Sequence, residues 1–403
     1  MGAGSFTDVR MKGFTRRTPV ADVLRLIDTR VSLLPHERIA AAGAAGRVLA
    51  ERVESAVDVP GFARSAMDGY AVRGGGPLSI VGTALPGSPF ASELQNGQAI
   101  RIMTGAPVPA GAEAVVPVED SSETDGTVRF PSTPVVGKHI IRIGEDVARG
   151  AEVLAAGRRL RPQDIGLLAA IGVGEVAVVR QPRVAILVTG DELLPPGSVP
   201  ADTQIVDSNS PMLAALVQRD GGIVESVQYV RDDYETVREA IRTADANVIL
   251  VSGGSSVGQE DHAPRAVEEL GELAVHGIAV KPASPAGIGF VSERIVFMLP
   301  GHPVSCLCAY DLFAGRAVRL LGGRNAALPH RVATRHLKEE LPSAPGRTDY
   351  VRVRVDAKQA WPIASGASRL SSAVEADGFI LISTDCEMLP AGEEVEVFLY
   401  GDS

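Results

Sequence analysis

The chain has 403 residues, 45% of them hydrophobic and 22% charged, which is ordinary for a globular protein and excludes disordered, collagen-like and coiled-coil classes. Single cores stop growing near about 250–300 residues, so several domains are expected. Lys and Arg number 39 against 49 Asp and Glu, a net charge of −10, which opposes a nucleic-acid partner but permits a small anion in a locally positive pocket.

Residues 18–30 predict a helix, with Val23, Leu24 and Ile27 on one face. The Ala-rich run 37–50 predicts another. From 51 to 148 the chain becomes short β runs (LSIVGT, QAIRIM, AVVPV, TVRF) broken by Gly and Pro. After a turn-rich stretch, RPQDIGLLAAIG reads as a helix stopped by Gly172. The segments 18–50 and 149–181 are expected to form one discontinuous mixed helical domain, with 51–148 inserted as a β domain. From 182 to 325 the pattern is α/β. RVAILVT is a continuous apolar strand, as buried parallel strands are. Asn209-Ser210-Pro211 opens a helix closed by Gly221-Gly222. Strand IVESVQYV, helix YETVREAIRTA, strand NVILV, helix PRAVEELG, strands LAVHGIAV and RIVFMLP, and a final helix from Pro303 to about 323 follow. Alternation of this kind predicts a parallel, doubly wound sheet. Residues 326–403 read as a small C-terminal β domain (YVRVRV, EVEVFLY).

Cys306, Cys308 and Cys386 form neither a disulfide framework nor a paired zinc motif. No apolar run reaches the ~18 residues of a membrane span, and residues 1–17 lack a signal-peptide core. A cytoplasmic protein with no membrane partner is expected.

In open α/β sheets ligands bind outside the carboxyl ends of the strands. Those ends carry Gly190-Asp191-Glu192, Arg231-Asp232-Asp233, Ser252-Gly253-Gly254 running on to Glu260-Asp261, Lys281-Pro282, and Gly301-His302-Pro303-Val304-Ser305 at a helix start. Glycines let backbone N–H groups approach an oxyanion, and a helix N-terminus favours one. Glu192, Asp232 and Asp261 would repel that anion, by about 4 kcal/mol per pair at 4 Å and an effective dielectric of 20. Mg²⁺ between carboxylate and phosphate oxygens reconciles the two, which suggests a Mg²⁺-dependent enzyme acting on a phosphorylated ligand. Taken singly, these residues also have plain readings: solvated loop acids at Asp191 and Glu192, a helix cap at Asp232 or Asp233, a surface Lys281, a capping Ser305. In the β domain, Asp68-Gly69 signals a hairpin turn and Gly144-Glu145-Asp146 a solvated one.

Several long stretches resemble the molybdopterin molybdenumtransferase family, the MoeA proteins and the E domain of gephyrin. They are SAMDGYAVR (65–73), RIMTGAPVPAGAEAVVPVED (101–120), IRIGEDV (141–147), TGDEL (189–193), VSGGSSVGQED (251–261), LPGHPVS (299–305) and GRTDYVRV (346–353), in family order across essentially the whole chain. The resemblance implies an elongated four-domain subunit and a homodimer, with the α/β domain of one subunit and the β domain of the other forming the site. It implies Mg²⁺-dependent insertion of molybdate into adenylylated molybdopterin, releasing AMP and giving molybdenum cofactor. By motif position Asp68, Thr104, Asp146, Glu192, Asp232 and Asp261 become catalytic candidates, Glu192 and Asp261 as metal ligands. Ser252, Gly253 and Gly254 would cradle the pterin phosphate, and Lys281, Ser305, Arg352 and Ser371 would line the oxyanion pocket. A molybdopterin adenylyltransferase is the implied partner.

Two motifs depart from the family pattern. Lys-Pro-Gly-Lys-Pro becomes Lys281-Pro282-Ala283-Ser284-Pro285, and PGNPVS becomes Pro300-Gly301-His302-Pro303-Val304-Ser305. The pocket thus loses a lysine at Ser284, and His302 restores charge only when protonated, with a reference pKa near ~6.5. Two other functions remain in play: a molybdopterin adenylyltransferase, which would need neither β domain, and a non-catalytic dimeric scaffold.

Overall fold

The structure is a computed structural model that describes residue 14 and residues 17–253, 262–363 and 366–401. It divides into two compact units, Arg38–Val178 and the combination of Met1–Glu37 with Val179–Ser403.

In the first unit a six-stranded sheet runs in the order Ala114–Pro117, Gly69–Arg73, Gln98–Ile102, Leu78–Ala84, Thr127–Arg129, Ser122–Thr124. Its strands alternate between two small cores: Ala71, Ile100 and Val115 on one face, Tyr70, Val72 and Ala99 on the other. Flanking segments share a third core, where Ala41, Ala44 and Leu49 meet Leu154, Leu168 and Val178. The helix expected over 37–50 does not form. His36–Ala40 is a strand, Ala41–Gly43 a single 3₁₀ turn, and Leu49 bridges Val178 as extended chain. Here the alternating burial of the strand and its tertiary pairing outweigh alanine's helix propensity. The expected helix does form at Pro162–Ala170, with Gly172 beyond its end at φ 78°. Its Asp164 is buried and accepts from both Arg158 (2.9 and 3.0 Å) and the Arg161 backbone (2.9 Å). Asp68-Gly69 is not a hairpin turn. Gly69 opens the strand Gly69–Arg73, whereas the preceding strand Arg64–Ser65 pairs with Ile140–Ile141. Glycine is needed there because a Cβ would stand 2.0 Å from the Val116 carbonyl oxygen.

The second unit holds a six-stranded sheet in the order Ile223–Val230, Arg183–Thr189, Val248–Ser252, Arg294–Leu299, Gly287–Val291, Glu272–His276. The first four are parallel, as expected. The last two are antiparallel, so the sheet is mixed. Gly287–Val291 is a strand the sequence pattern did not suggest. LAVHGIAV, read as one strand, breaks at Gly277 (φ 87°), and Val280–Lys281 leaves the sheet to pair with Thr348–Asp349. Both faces are covered: Ile186, Leu250 and Phe297 pack on one side, Leu187, Val251 and Met298 on the other. The helix Val20–Arg30 joins this core through Val23 and Ile27 rather than packing with residues 38–50. The final helix is continuous but contains a π turn at Tyr310–Ala314.

The C-terminal strands Thr348–Val355, Gln359–Pro362, Arg331–Leu337, Glu394–Leu399 and Gly378–Ile382 close on themselves, since the last also pairs with the first. Val353, Ala360, Ile380 and Val397 fill this small barrel. Among the described residues, no helix is long and apolar enough to cross a membrane.

Candidate active site

The Arg183–Thr189 strand has the next strand in sequence on one side and Val248–Ser252 on the other, so chain direction through the sheet reverses there. Reversal opens a crevice at the carboxyl ends. Ser252 is buried, and Gly253 follows at φ 97°. A Cβ on Gly253 would stand 2.6 Å from the Thr189 carbonyl oxygen, so only glycine lets the two strand ends approach.

The turns of this rim are tied together by Asn209. Its Nδ2 donates to Ser252 Oγ at 3.0 Å and to the Gly301 carbonyl at 2.8 Å. Asp207 fixes the helix start below it, accepting from the backbone N–H groups of Asn209 (2.8 Å) and Ser210 (3.2 Å), from the Ser210 hydroxyl, and from the Tyr229 hydroxyl (3.0 Å). Neither Asp207 nor Asn209 was a sequence candidate. Their run, Asp207-Ser208-Asn209-Ser210-Pro211, satisfies a helix cap locally and gives no sign of the longer reach of the Asn209 amide.

Glu192 is exposed, with its carboxylate folded over Gly190. The cap of the Tyr234–Thr243 helix is Asp233, which accepts from the Thr236 N–H at 3.0 Å and hydroxyl at 2.7 Å. Asp232 is therefore not the cap, and its N–H donates to Asp191 Oδ1 at 3.2 Å. Gly254 and Asp261 lie outside the described residues. Among those described, no three His, Cys, Asp or Glu side chains gather as a metal cage. A single exposed carboxylate such as that of Glu192 is a hard oxygen donor of the kind Mg²⁺ takes, one or two at a time, together with substrate phosphates and waters.

Beside this rim, a cavity of about 1070 Å³ opens between the Lys281-Pro282 turn, the Pro303 helix start and the barrel. Lys281, Ser284, His302, Ser305 and Arg352 all line it. Three sequence candidates from distant segments, Lys281, Ser305 and Arg352, thus line the same cavity. Arg352 is buried, its guanidinium donates to Ser372 Oγ, and the Ser372 hydroxyl donates to the Arg369 carbonyl. Desolvation lowers the pKa of Arg352 from the ordinary guanidinium value. Ser371, the candidate in this stretch, is exposed; its neighbour Ser372 is the serine that meets Arg352. In the same lining Ala283 is held at φ 86°, where glycine is favoured, and among the described residues the buried Ser284 Oγ has no hydrogen-bond partner. A further cation of the lining, Arg347, is neutralised by Asp349 at 2.9 Å.

In the other unit, Asp68 and Thr104 meet directly. The Thr104 N–H and hydroxyl both donate to Asp68 Oδ1, at 2.6 and 2.7 Å. These two bonds, the backbone one first, lower the pKa of Asp68 from the ordinary aspartate value. Asp146 is exposed in its turn, held through its N–H to the Val59 carbonyl at 3.0 Å; among the described residues no hydrogen bond joins its side chain to Asp68 or Thr104.

Three family models match the chain in series: "MoeA N-terminal region (domain I and II)" over 18–172, "Probable molybdopterin binding domain" over 185–319, and "MoeA C-terminal region (domain IV)" over 334–400. A molybdopterin molybdenumtransferase of Haemophilus influenzae is 34% identical, covering 88% of this chain and 91% of its own. The chain belongs to the MoeA family. Another relative, molybdopterin molybdenumtransferase 2 of Mycobacterium tuberculosis, is 36% identical over 88% of this chain and 93% of its own. Two crystal structures of a molybdopterin biosynthesis MoeA protein from Pyrococcus horikoshii superimpose with TM-scores of 0.84 and 0.81, at 32% and 29% identity, each covering 96% of this chain and 100% of theirs. The α/β unit and the barrel that build the cavity are thus both parts of the MoeA match.

Proposed function

We propose that this MoeA-family chain inserts molybdate into adenylylated molybdopterin, releasing AMP and leaving molybdenum cofactor. The observation that carries this reading is that Lys281, Ser305 and Arg352, from separate segments, line one cavity. Two fixed cations offset the charge of a tetrahedral dianion, and the Ser305 hydroxyl, in the first turn of its helix, adds a donor. Burial makes Arg352 the stronger anchor, because a partly desolvated charge is screened less than an exposed one. The Ser252–Gly253 turn, where glycine leaves the backbone uncovered, would accommodate the pterin phosphate through close backbone approach, with Gly254 assigned the same role by its motif position.

Glu192 and Asp261 would hold Mg²⁺, with Asp232 close to the nucleotide. When bound, Mg²⁺ draws charge from the phosphoanhydride oxygens. No nucleophilic side chain is required: an oxygen of the held molybdate attacks the pterin-side phosphorus, the P–O bond to AMP breaks and AMP departs, and the two dithiolene thiols then displace the bridging phosphate oxygen and one oxo group from molybdenum, that oxo group leaving with the two thiol protons as water, with no change of oxidation state. Asp68, Thr104 and Asp146 complete the functional set, and Ser371 remains a weaker member. A homodimer is part of this reading, as is receipt of the adenylylated substrate from a molybdopterin adenylyltransferase.

Neither alternative accounts for the cavity. An adenylyltransferase would not need cations supplied jointly by the α/β domain and the barrel, and a scaffold would not need a buried arginine facing a void. The test supplies purified protein with adenylylated molybdopterin, molybdate and Mg²⁺ and follows AMP. AMP release that depends on molybdate and falls at least tenfold in Lys281→Ala and Arg352→Ala is expected. ATP consumption with bare molybdopterin would favour the adenylyltransferase; absence of any turnover in a stable dimer would favour the scaffold.

A further inference from the structure

Arg17 brings a cation to the cavity that no part of the reading above uses. Thr18 is stitched to the chain that leads into Lys281: its N–H donates to the Gly277 carbonyl and its carbonyl accepts from the Ala279 N–H, both at 2.9 Å, in a parallel bridge with Ile278. Phe14 is seated as well. Its ring meets His276 edge-on at 5.0 Å and fills the space over Gly277, where a Cβ would stand 2.5 Å from the Phe14 ring. Both Phe14 and Arg17 line the cavity. The Arg17 guanidinium lies 6.0 Å from the Phe14 ring centroid, and among the described residues no carboxylate pairs with it.

The same lining contains the neutral Ser284, with its buried and unpartnered hydroxyl, and a second arginine, Arg347, already neutralised by Asp349. Of the cations around this void, Arg17 is therefore available to an anionic guest, and its neighbour Thr18 is anchored to Gly277 and Ala279. We infer that Arg17 is an oxyanion-binding residue of this cavity, supplying from the N-terminal segment the positive charge that Ser284 does not. This rests on the reading that the cavity holds molybdate.

The test measures binding of molybdate alone to the full chain by titration calorimetry at low and physiological salt. Arg17→Ala is expected to weaken binding about 3- to 10-fold at low salt, the range for an exposed ion pair with a dianion. The deficit should shrink as salt rises. Arg17→Lys should bind nearly as wild type, Arg17→Glu should bind worse than Arg17→Ala, and Ser284→Lys added to Arg17→Ala should recover affinity. An unchanged melting temperature in Arg17→Ala separates lost binding from lost folding. Lys281→Ala serves as the reference. If it weakens binding while Arg17→Ala does not, the inference is overturned and the cavity reading stands. If neither variant matters, molybdate does not bind here and both fall. Weakened binding of adenylylated molybdopterin, with molybdate binding intact, would also overturn it.

Discussion

Asn209 offers the most direct measure of how far the rim depends on one side chain. Its amide joins the Ser252 hydroxyl and the Gly301 carbonyl, two turns that are otherwise separate. Asn209→Ala removes both bonds, each worth about 1 kcal/mol net. Ser252 is 2% exposed and cannot rehydrate in place, which adds part of a desolvation penalty of about 1–3 kcal/mol. Alanine returns a few tenths of a kcal/mol as a better helix former in the first turn. The net loss should be about 2–3 kcal/mol, read as a lower urea midpoint at constant slope. Function should suffer separately: with the two turns uncoupled, KM for the adenylylated pterin should rise while affinity for molybdate alone, whose cations lie on other elements, stays the same. Asn209→Asp should be at least as damaging, because it places a carboxylate against the Gly301 carbonyl. A change under about 0.5 kcal/mol with an unaltered KM would refute the bridging role.

Gly253→Ala should cost about 2–4 kcal/mol or displace the turn, since alanine at φ 97° is strained and its Cβ would meet the Thr189 carbonyl at 2.6 Å; denaturant unfolding and KM for the pterin substrate check it. Asp164→Ala should destabilise by about 2–3 kcal/mol through lost charge-assisted bonds to Arg158 and Arg161. Those arginines, Arg158 first, lower the pKa of Asp164 below the unfolded value of about 3.9. Its contribution is therefore fully present above that value and lost as pH falls through the folded one, so the gap between wild type and variant should begin to narrow below about pH 4 and close only in stronger acid. Ser372→Ala should weaken molybdate binding several-fold by removing one restraint on Arg352, at a stability cost of about 1 kcal/mol; Ser371→Ala, on an exposed side chain, should have the smaller effect on molybdate binding.

Buried strands were the most legible elements. RVAILVT and NVILV read as central strands because both faces of that sheet are covered, leaving no polar alternation to confuse them. The segment 37–50 misled because alanine propensity is weak beside tertiary pairing. Gly287–Val291 was missed for the opposite reason. Its glycines look like punctuation, yet a Cβ at Gly287 would meet Met298 Cε at 2.6 Å, and one at Gly289 would meet Val267 Cγ1 at 2.2 Å. They permit close packing of a strand against its neighbours. In the site, the strand-end loops pointed to Lys281 and Ser305 and the family resemblance to Arg352, while their presence in one cavity depends on the barrel and could not be read from local pattern. Asn209 stayed hidden because a capping role accounted for it within four residues.

The departure of Val280–Lys281 from the α/β sheet has a consequence for modularity. Lys281 is hydrogen-bonded in register with Thr348–Asp349, three residues from the strand position of Arg352. Deleting the barrel would thus remove the arginine and, at the same stroke, unmoor the lysine, although the lysine belongs by sequence to the preceding domain. On the proposed reading, an isolated α/β fragment grafted elsewhere would keep the crevice at its strand ends and lose the oxyanion contacts, so the two parts would have to be inherited or engineered as a joined pair.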